Sequence, residues 1–300
     1  MNKRVITIMN QKGGVGKTTT TLNLGHALAR MGARVLMIDM DPQGHLSSCF
    51  GLSGDMRGLS DSLINGTPIN DLAVSVRDNL DVVPSGLNLM VFEKDRQGGR
   101  QRGWILQNRL MQVDGYEFIL LDCPPSAALL TTNALFSSSE LLLPVTGDYL
   151  SLQGLSSMME LIRHVERRIQ RIYQIHILMT RYQGRRKLAQ EVYASLCKRF
   201  GNDVIPTPIR ECVALAESPG FHKTIFDYRL SGHGSRDYMD LAVEILTKGD
   251  THEARISETS CRKDYWRVQR FSNAGMAADI DRGAGRHGLE CALTEDIVNV

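Results

Sequence analysis

The strongest constraint in this 300-residue chain lies near its start, where Gln11-Lys12-Gly13-Gly14-Val15-Gly16-Lys17-Thr18-Thr19 stands between an apolar run, Arg4 to Met9, and a helical pattern, Thr18 to Arg30. Glycines let a backbone bend so that successive N–H groups face one centre, and the helix that follows adds the partial positive charge of its first turn. Such a centre suits a polyphosphate. The spacing gives Lys17 the terminal phosphates and the Thr18 hydroxyl a magnesium ion.

The rest of the chain repeats the alternation. Candidate strands are Arg34 to Met40, Leu80 to Val83, Glu117 to Asp122, Glu140 to Val145, Ile175 to Thr180 and Asp203 to Ile205. Between them Ala127 to Ser138, Ser151 to Ile172, Arg186 to Phe200 and Ser235 to Leu246 read as helices by length and period. Several strands are apolar on both faces, as buried parallel strands are. The expected fold is α/β: a doubly wound, mainly parallel sheet flanked by helices, of the P-loop NTPase class. From Gly249 the period stops, so residues 1–248 read as the folded domain and 249–300 as a flexible C-terminal tail.

Composition excludes several functions. Thirty-five Lys and Arg against 33 Asp and Glu leave a net charge of +2, too little to hold nucleic acid or membrane by average charge, so such contacts need a local patch. Apolar runs such as Phe118 to Leu121 fall far short of the 18 residues of a membrane span. The six cysteines form no C-x2-C pair, and free thiols in a reducing compartment, the cytoplasm, are expected.

Two further strands end in acids. Val35 to Asp39 runs into Asp39-Met40-Asp41-Pro42-Gln43-Gly44, with two carboxylates on one side of an extended chain. Phe118 to Leu121 runs into Asp122-Cys123-Pro124-Pro125, the pattern that holds magnesium through water beside a phosphate loop. Either alone is a common turn. Cys123 reads as a buried small side chain. Thr247-Lys248-Gly249-Asp250 has the letters of a guanine site but follows a helical segment rather than a strand, which leaves ATP as the expected ligand.

The loop departs from the ordinary pattern: its first position is Gln11, and Lys12 is additional. K-G-G-x-G-K-[ST] resembles the deviant Walker A motif of the ParA/MinD superfamily, D-x-D-P-Q-G resembles its second motif, and the run ending D-x-P-P its Walker B. The resemblance extends over about residues 1–248 and is best to the chromosomal ParA or Soj type. It implies ATP and Mg2+ held by Lys12, Gly13, Gly14, Val15, Gly16, Lys17, Thr18 and Thr19, and an ATP-state homodimer in which Lys12 crosses to the partner's nucleotide. It further implies that Asp39 and Asp122 support the metal beside Thr18, and that Asp41 positions the attacking water.

In ParA-like proteins the dimer binds DNA without sequence preference and a ParB-like partner stimulates slow hydrolysis. The resemblance therefore implies a nucleoid-associated ATPase that positions or segregates chromosome or plasmid DNA, or another cargo. Only ten residues precede Gln11, where larger plasmid relatives carry a helix-turn-helix domain, so operator binding is not expected. The alternative is a MinD-like membrane-associated positioning ATPase. Its basic amphipathic end is missing from Leu293 to Val300, which holds Glu295 and Asp296 and no base, so a membrane partner is not expected. For DNA the preferred set is Arg210, Arg229, Arg236 and Lys248. The rival is a helix face carrying Arg163, Arg167 and Arg171, opposite a stripe from Leu155 to Ile172. Ala214 stands where many relatives have Arg, and Ser218 and Gly220 replace a common Ala and Ser.

Overall fold

A computed structural model of the chain describes residues 3–53, 55–95, 99–125 and 128–258. One sheet holds β1 (Arg4–Ile8), β2 (Val35–Asp39), β3 (Val74–Arg77), β4 (Leu80–Val83), β5 (Phe118–Asp122), β6 (Glu140–Thr146) and β7 (Gln174–Thr180). Around it lie α1 (Lys17–Arg30), α2 (His45–Ser48), α3 (Leu59–Asn65), α4 (Leu89–Lys94), α5 (Ile105–Met111), α6 (Ala128–Ser137), α7 (Tyr149–Ile169), α8 (Lys187–Phe200), α9 (Val213–Glu217), α10 (Ile225–Tyr228) and α11 (His233–Glu258). The strand order is β3-β4-β2-β5-β1-β6-β7, and only the β3–β4 pair is antiparallel.

This is the doubly wound arrangement expected from the alternation, with strand ends shifted by no more than about a residue. Two strands differ. Val74–Arg77 alternates Val with Ser and Arg over four residues, too short a signal to read without its neighbour β4. Asp203 to Ile205 is not a strand: Gly201–Asp203 is a tight helical turn and Val204 makes only an isolated bridge to Ile177. Pro206, which has no N–H to give a ladder, follows at once.

Period-two alternation splits the core between the faces of the sheet. Leu36, Ile38, Ile119, Leu121, Leu141 and Leu143 pack with α6, α7 and α8 through Leu130, Leu135, Leu155, Ile162 and Leu196. Ile6, Ile8, Met37, Leu120, Leu142 and Leu178 pack with α1 and α11 through Leu22, Leu28, Tyr238, Leu241 and Ile245. A Cβ on Gly25 of α1 would lie 2.5 Å from the Met37 sulfur, so only glycine lets this helix come so close to β2.

The last helix runs past the expected boundary. α11 continues to Glu258, which puts Thr247 and Lys248 inside a helix and removes the guanine-site reading. The remainder of the tail, the Leu293 to Val300 segment, Cys261 and Cys291 lie outside the described residues. Among the described residues no helix is long and apolar enough to cross a membrane.

A buried ionic network pins α11 to the end of the sheet remote from the phosphate loop. Arg4 donates to both oxygens of Glu140 at 2.7 Å and to the Ile245 carbonyl at 2.9 Å, His176 Nε2 lies 3.1 Å from Glu140 Oε2, and Gln174 donates to the Lys248 carbonyl at 3.1 Å. Burial alone would raise the Glu140 pKa, but the hydrogen bonds from Arg4 and His176 outweigh it and hold the group at about 2. A carboxylate depressed in the fold adds stability above its ordinary range and loses it as pH falls toward the folded value. Glu140→Gln should therefore cost about 3 kcal/mol in denaturant unfolding at pH 7, because it strands the Arg4 charge. The gap to wild type should close between about pH 4 and pH 2.

Candidate active site

The sheet brings three strand ends to one line. In register, Ile8 of β1 lies beside Asp122 of β5, and Asp122 lies beside Asp39 of β2. Because β5 and β6 flank β1 on opposite sides, the crevice above β1 is the switch point where doubly wound sheets bind ligands. The phosphate loop leaves β1 into this crevice.

Its shape is held by side chains from strands and their ends. Asn10 accepts from the Lys12 N–H at 2.9 Å and donates to the Pro144 carbonyl at 2.7 Å, and the Thr180 hydroxyl at the end of β7 donates to the Val15 carbonyl at 2.7 Å. Gly14 and Gly16 have φ of 73° and 88°, a region open to glycine and strained for other residues. Gly16 is the N-cap of α1, with no side-chain cap and no acid in the first turn, so the leading amides of the helix remain available to an anion.

Lys17 is 8% exposed, and its ammonium lies 3.3 Å from the Lys12 carbonyl. Burial lowers its pKa, against the opposing charges of Asp122 and Asp41. The two strand-end acids are fully buried. Asp39 accepts from the Ser47 hydroxyl at 2.6 Å, the Ser47 amide at 2.8 Å and the Asp41 amide at 3.1 Å, yet burial pushes it up to about 6. Asp122 takes the Thr21 hydroxyl on Oδ1 at 3.0 Å, while its Oδ2 is buried with no hydrogen-bond partner. Burial first and the Asp39 charge second push Asp122 to about 7, against Thr18, Thr21 and Lys17.

Two buried acids, one with an orphaned oxygen, next to the Thr18 hydroxyl form an all-oxygen set. That chemistry fits a hard divalent cation held partly through water and phosphate. Among the described residues no cluster of three His, Cys, Asp or Glu could hold a metal ion. Asp41 stands at the mouth with 13% of its side chain exposed, and accepts from the Gln43 amide at 2.9 Å. Cys123 is buried, which raises its pKa and makes the thiol inert, as expected.

Lys12 is turned away from its own loop. Its ammonium is 2.9 Å from both oxygens of Asp148 and 3.1 Å from the Ser151 hydroxyl. Asp148 is the N-cap of α7, accepting from the Ser151 amide at 2.9 Å. Its burial would raise its pKa, but Thr146, Lys12 and Ser151 together hold it at about 2. Lys12, Gly13, Gly14, Asp148, Arg181 and Glu211 help to line a cavity of about 270 Å³ beside the loop. Sequence reasoning missed Asp148, Ser151, Asn10 and Thr180. The spacing of Asp148 three residues ahead of Ser151, an N-cap signature, was the one available signal.

The expected DNA contacts divide. Arg210 is bidentate on Asp237, whose side chain is 3% exposed, and Lys248 donates to the Asn202 carbonyl at 2.8 Å. Arg229, just after α10, and Arg236, in the first turn of α11, are exposed; the Ser235 hydroxyl donates to the Arg229 carbonyl and the Arg236 guanidinium donates to the Ser231 carbonyl at 3.3 Å. The rival face is corrected: α7 ends at Ile169 with Gln170 at φ 53°, so Arg171 and Ile172 lie beyond the helix. The Arg171 guanidinium caps the end of α6 by donating to the Phe136 and Ser138 carbonyls. Ala214 is buried.

An AAA domain family model matches residues 3–175. The chromosome partitioning protein ParA of Caulobacter vibrioides is 36% identical over 261 residues, 85% of this chain and 98% of that protein. The sporulation initiation inhibitor protein Soj of Bacillus subtilis is 37% identical, covering 82% of this chain and 99% of its own length. Among solved structures, cobyrinic acid a,c-diamide synthase of Mycobacterium smegmatis with ADP and magnesium superposes with a TM-score of 0.72 at 25% identity, over 84% of this chain and 97% of that one.

The raised pKa of Asp122 has a sign that can be measured. A native state that binds this proton more tightly than the unfolded chain is destabilised when the group ionises, so the strain is full above about pH 7 and gone near pH 4. Asp122→Asn, without nucleotide or magnesium, should raise the melting temperature by about 5 °C at pH 8 and leave it unchanged near pH 4.

Proposed function

The chain belongs to the ParA/Soj family of partition ATPases, and from that premise we propose an ATP-dependent dimerising ATPase that positions or segregates DNA, or another cargo, with a ParB-like partner. The observation that carries this reading is Lys12. An ordinary phosphate loop has no use for it, yet here it stands at the loop mouth with 38% of its side chain exposed, facing out of its own site.

In this reading the amides of Gly13 to Thr19 hold the phosphates of ATP, and Lys17 sits on the terminal ones. Thr18, with Asp39 and Asp122 acting through water, would hold Mg2+, which when bound neutralises charge on the phosphate oxygens. Asp41 orients the attacking water, being the acid at the mouth rather than beneath it. Lys12 of a second copy brings positive charge to the transferred phosphoryl group, so hydrolysis is slow in the monomer and tied to the dimer. The protein acts in the cytoplasm on the nucleoid.

DNA is read through phosphates. With Arg210 paired to the buried Asp237 and Lys248 bonded to the Asn202 carbonyl, the exposed Arg229 and Arg236 are the cations assigned to a duplex, Arg236 giving up only a long contact to the Ser231 carbonyl, and dimerisation doubles them. Such contacts carry charge and no base information.

Lys12→Ala should retain nucleotide but lose the ATP-dependent dimer in light scattering. Asp148→Asn should strengthen that dimer several-fold, since it frees Lys12 without touching the phosphates. A Lys12→Ala protein that dimerises normally would reduce Lys12 to a solvated charge.

Four arginines per dimer give a slope of log affinity against log salt of about −4, at 0.9 per neutralised phosphate. Arg229→Ala with Arg236→Ala should flatten that slope by most of its value while leaving dimerisation intact. An unchanged slope there, with a flattened one for Arg163→Ala and Arg167→Ala, would move the DNA surface to α7.

A further inference from the structure

α6 packs on β1, the strand that leads into the phosphate loop, where the Thr7 hydroxyl donates to the Ala134 carbonyl at 3.3 Å, so whatever fixes the first turn of α6 fixes a neighbour of that strand. A side chain from another element does this. Glu93, on α4, accepts from the Leu129 amide with Oε1 at 3.1 Å and from the Leu130 amide with Oε2 at 2.9 Å. One carboxylate thus spans two of the amides that a helix N-terminus leaves unpaired, a charge-assisted contact aligned with the helix dipole. α4 is a firm base for it, because Leu89 and Phe92 are buried and the Arg102 guanidinium lies over the Phe92 ring at 4.9 Å.

The position of α6 matters to the phosphate loop. A small cavity behind the loop is lined on one side by Met9, Asn10 and Gln11 and on the other by Pro124, Pro125 and Thr131. Thr131 is in α6, and the two prolines belong to the segment between Asp122 and α6. Asn10, on the facing side, is the residue that holds the Lys12 amide. Glu93 therefore bears on the loop through α6 itself, whose first turn carries Thr131 to the cavity that Asn10 and Gln11 also line, and whose Ala134 carbonyl accepts from the Thr7 hydroxyl of β1.

We propose that Glu93 is a positioning residue for ATP hydrolysis, fixing α6 and with it the support that this helix gives to β1 and the start of the phosphate loop. The assignment rests on the ATPase reading above. Glu93 is not itself in the nucleotide site, so its loss should disturb the alignment of reacting groups more than the binding of ligand. Displacements of that kind cost rate, on the order of tenfold to a hundredfold for an ångström.

The test is steady-state hydrolysis by the full chain with saturating Mg2+, below the melting temperature of every variant. Glu93→Ala should lower kcat about tenfold or more, with KM for ATP and affinity for a fluorescent ADP analogue within about threefold of wild type. Glu93→Gln keeps the length and one acceptor for one of the two amides, and its kcat should fall between the two. A kcat for Glu93→Ala within twofold of wild type overturns the proposal, even if the melting temperature drops, since Glu93 would then be structural only. Equal losses of kcat and ADP affinity in both variants overturn it too. Lys17→Ala is the control for the underlying reading: if wild type hydrolyses no faster than Lys17→Ala, the ATPase reading fails and takes Glu93 with it. If wild type is faster and Glu93→Ala matches it, only the Glu93 assignment fails.

Discussion

The in-register pairing of β2, β5 and β1 is the constraint on which the site depends. A shift of one residue in β5 would turn Asp122 to the other face of the sheet and bury Leu121 where Leu120 now packs against α1. Register is therefore set by the two hydrophobic layers, far from any chemistry, and the acids inherit their places from it. Asp39 and Asp122 come to lie side by side because Val35, Met37, Phe118 and Leu120 are needed on one face and Leu36, Ile38, Ile119 and Leu121 on the other.

Those inherited places are electrostatically unfavourable in the free protein. Burial raises the proton affinity of both carboxylates and the Asp39 charge raises that of Asp122 further, while the hydrogen bonds from Ser47, Asp41 and Thr21 only partly offset this. Lys17 lies in their field but is itself disfavoured as a cation by burial. On the proposed reading, a divalent ion and a polyphosphate bound together would relieve that destabilisation. Ligand binding and domain stability are then linked, since anything that binds only the native state adds its binding free energy to the fold.

How much of this was legible in sequence follows from how local each signal is. The phosphate loop is contiguous, so its pattern survives without knowledge of the fold, and Asp39 and Asp122 mark the ends of apolar runs whose neighbours are read equally well. Partners across the structure carry no such mark. Lys12 and Asp148 are separated by 136 positions, and Glu93 reaches Leu129 and Leu130 across 36 and 37. The helix face with Arg163, Arg167 and Arg171 failed for a different reason. The three-and-four spacing of apolar residues continues to Ile172, but Gln170 takes a left-handed conformation and the Arg171 amide turns back to the Glu166 carbonyl, ending the helix without a glycine to announce it. The partner of Arg210, Asp237, is likewise distant in sequence, on α11.

On the proposed reading, the contact of Lys12 with Asp148 bears on how the chain avoids dimerising without nucleotide. Both side chains are about two-fifths exposed, so solvent screening leaves the pair worth roughly 1 kcal/mol or less, whatever the depressed pKa of Asp148 suggests. Such a contact holds Lys12 in one place without committing it. On the reading proposed above, a second copy offering a triphosphate presents more negative charge than one carboxylate, in an interface that excludes water and so strengthens the attraction. A copy with no terminal phosphate offers no comparable gain, and Asp148 keeps the lysine. Release does not leave Asp148 unsatisfied, because the Ser151 amide and the Thr146 hydroxyl still bond it and α7 keeps its cap. Lys12 can therefore change partners while the helix it leaves stays in place, which confines the switch to one side chain and spares the core on which the register of the acids rests.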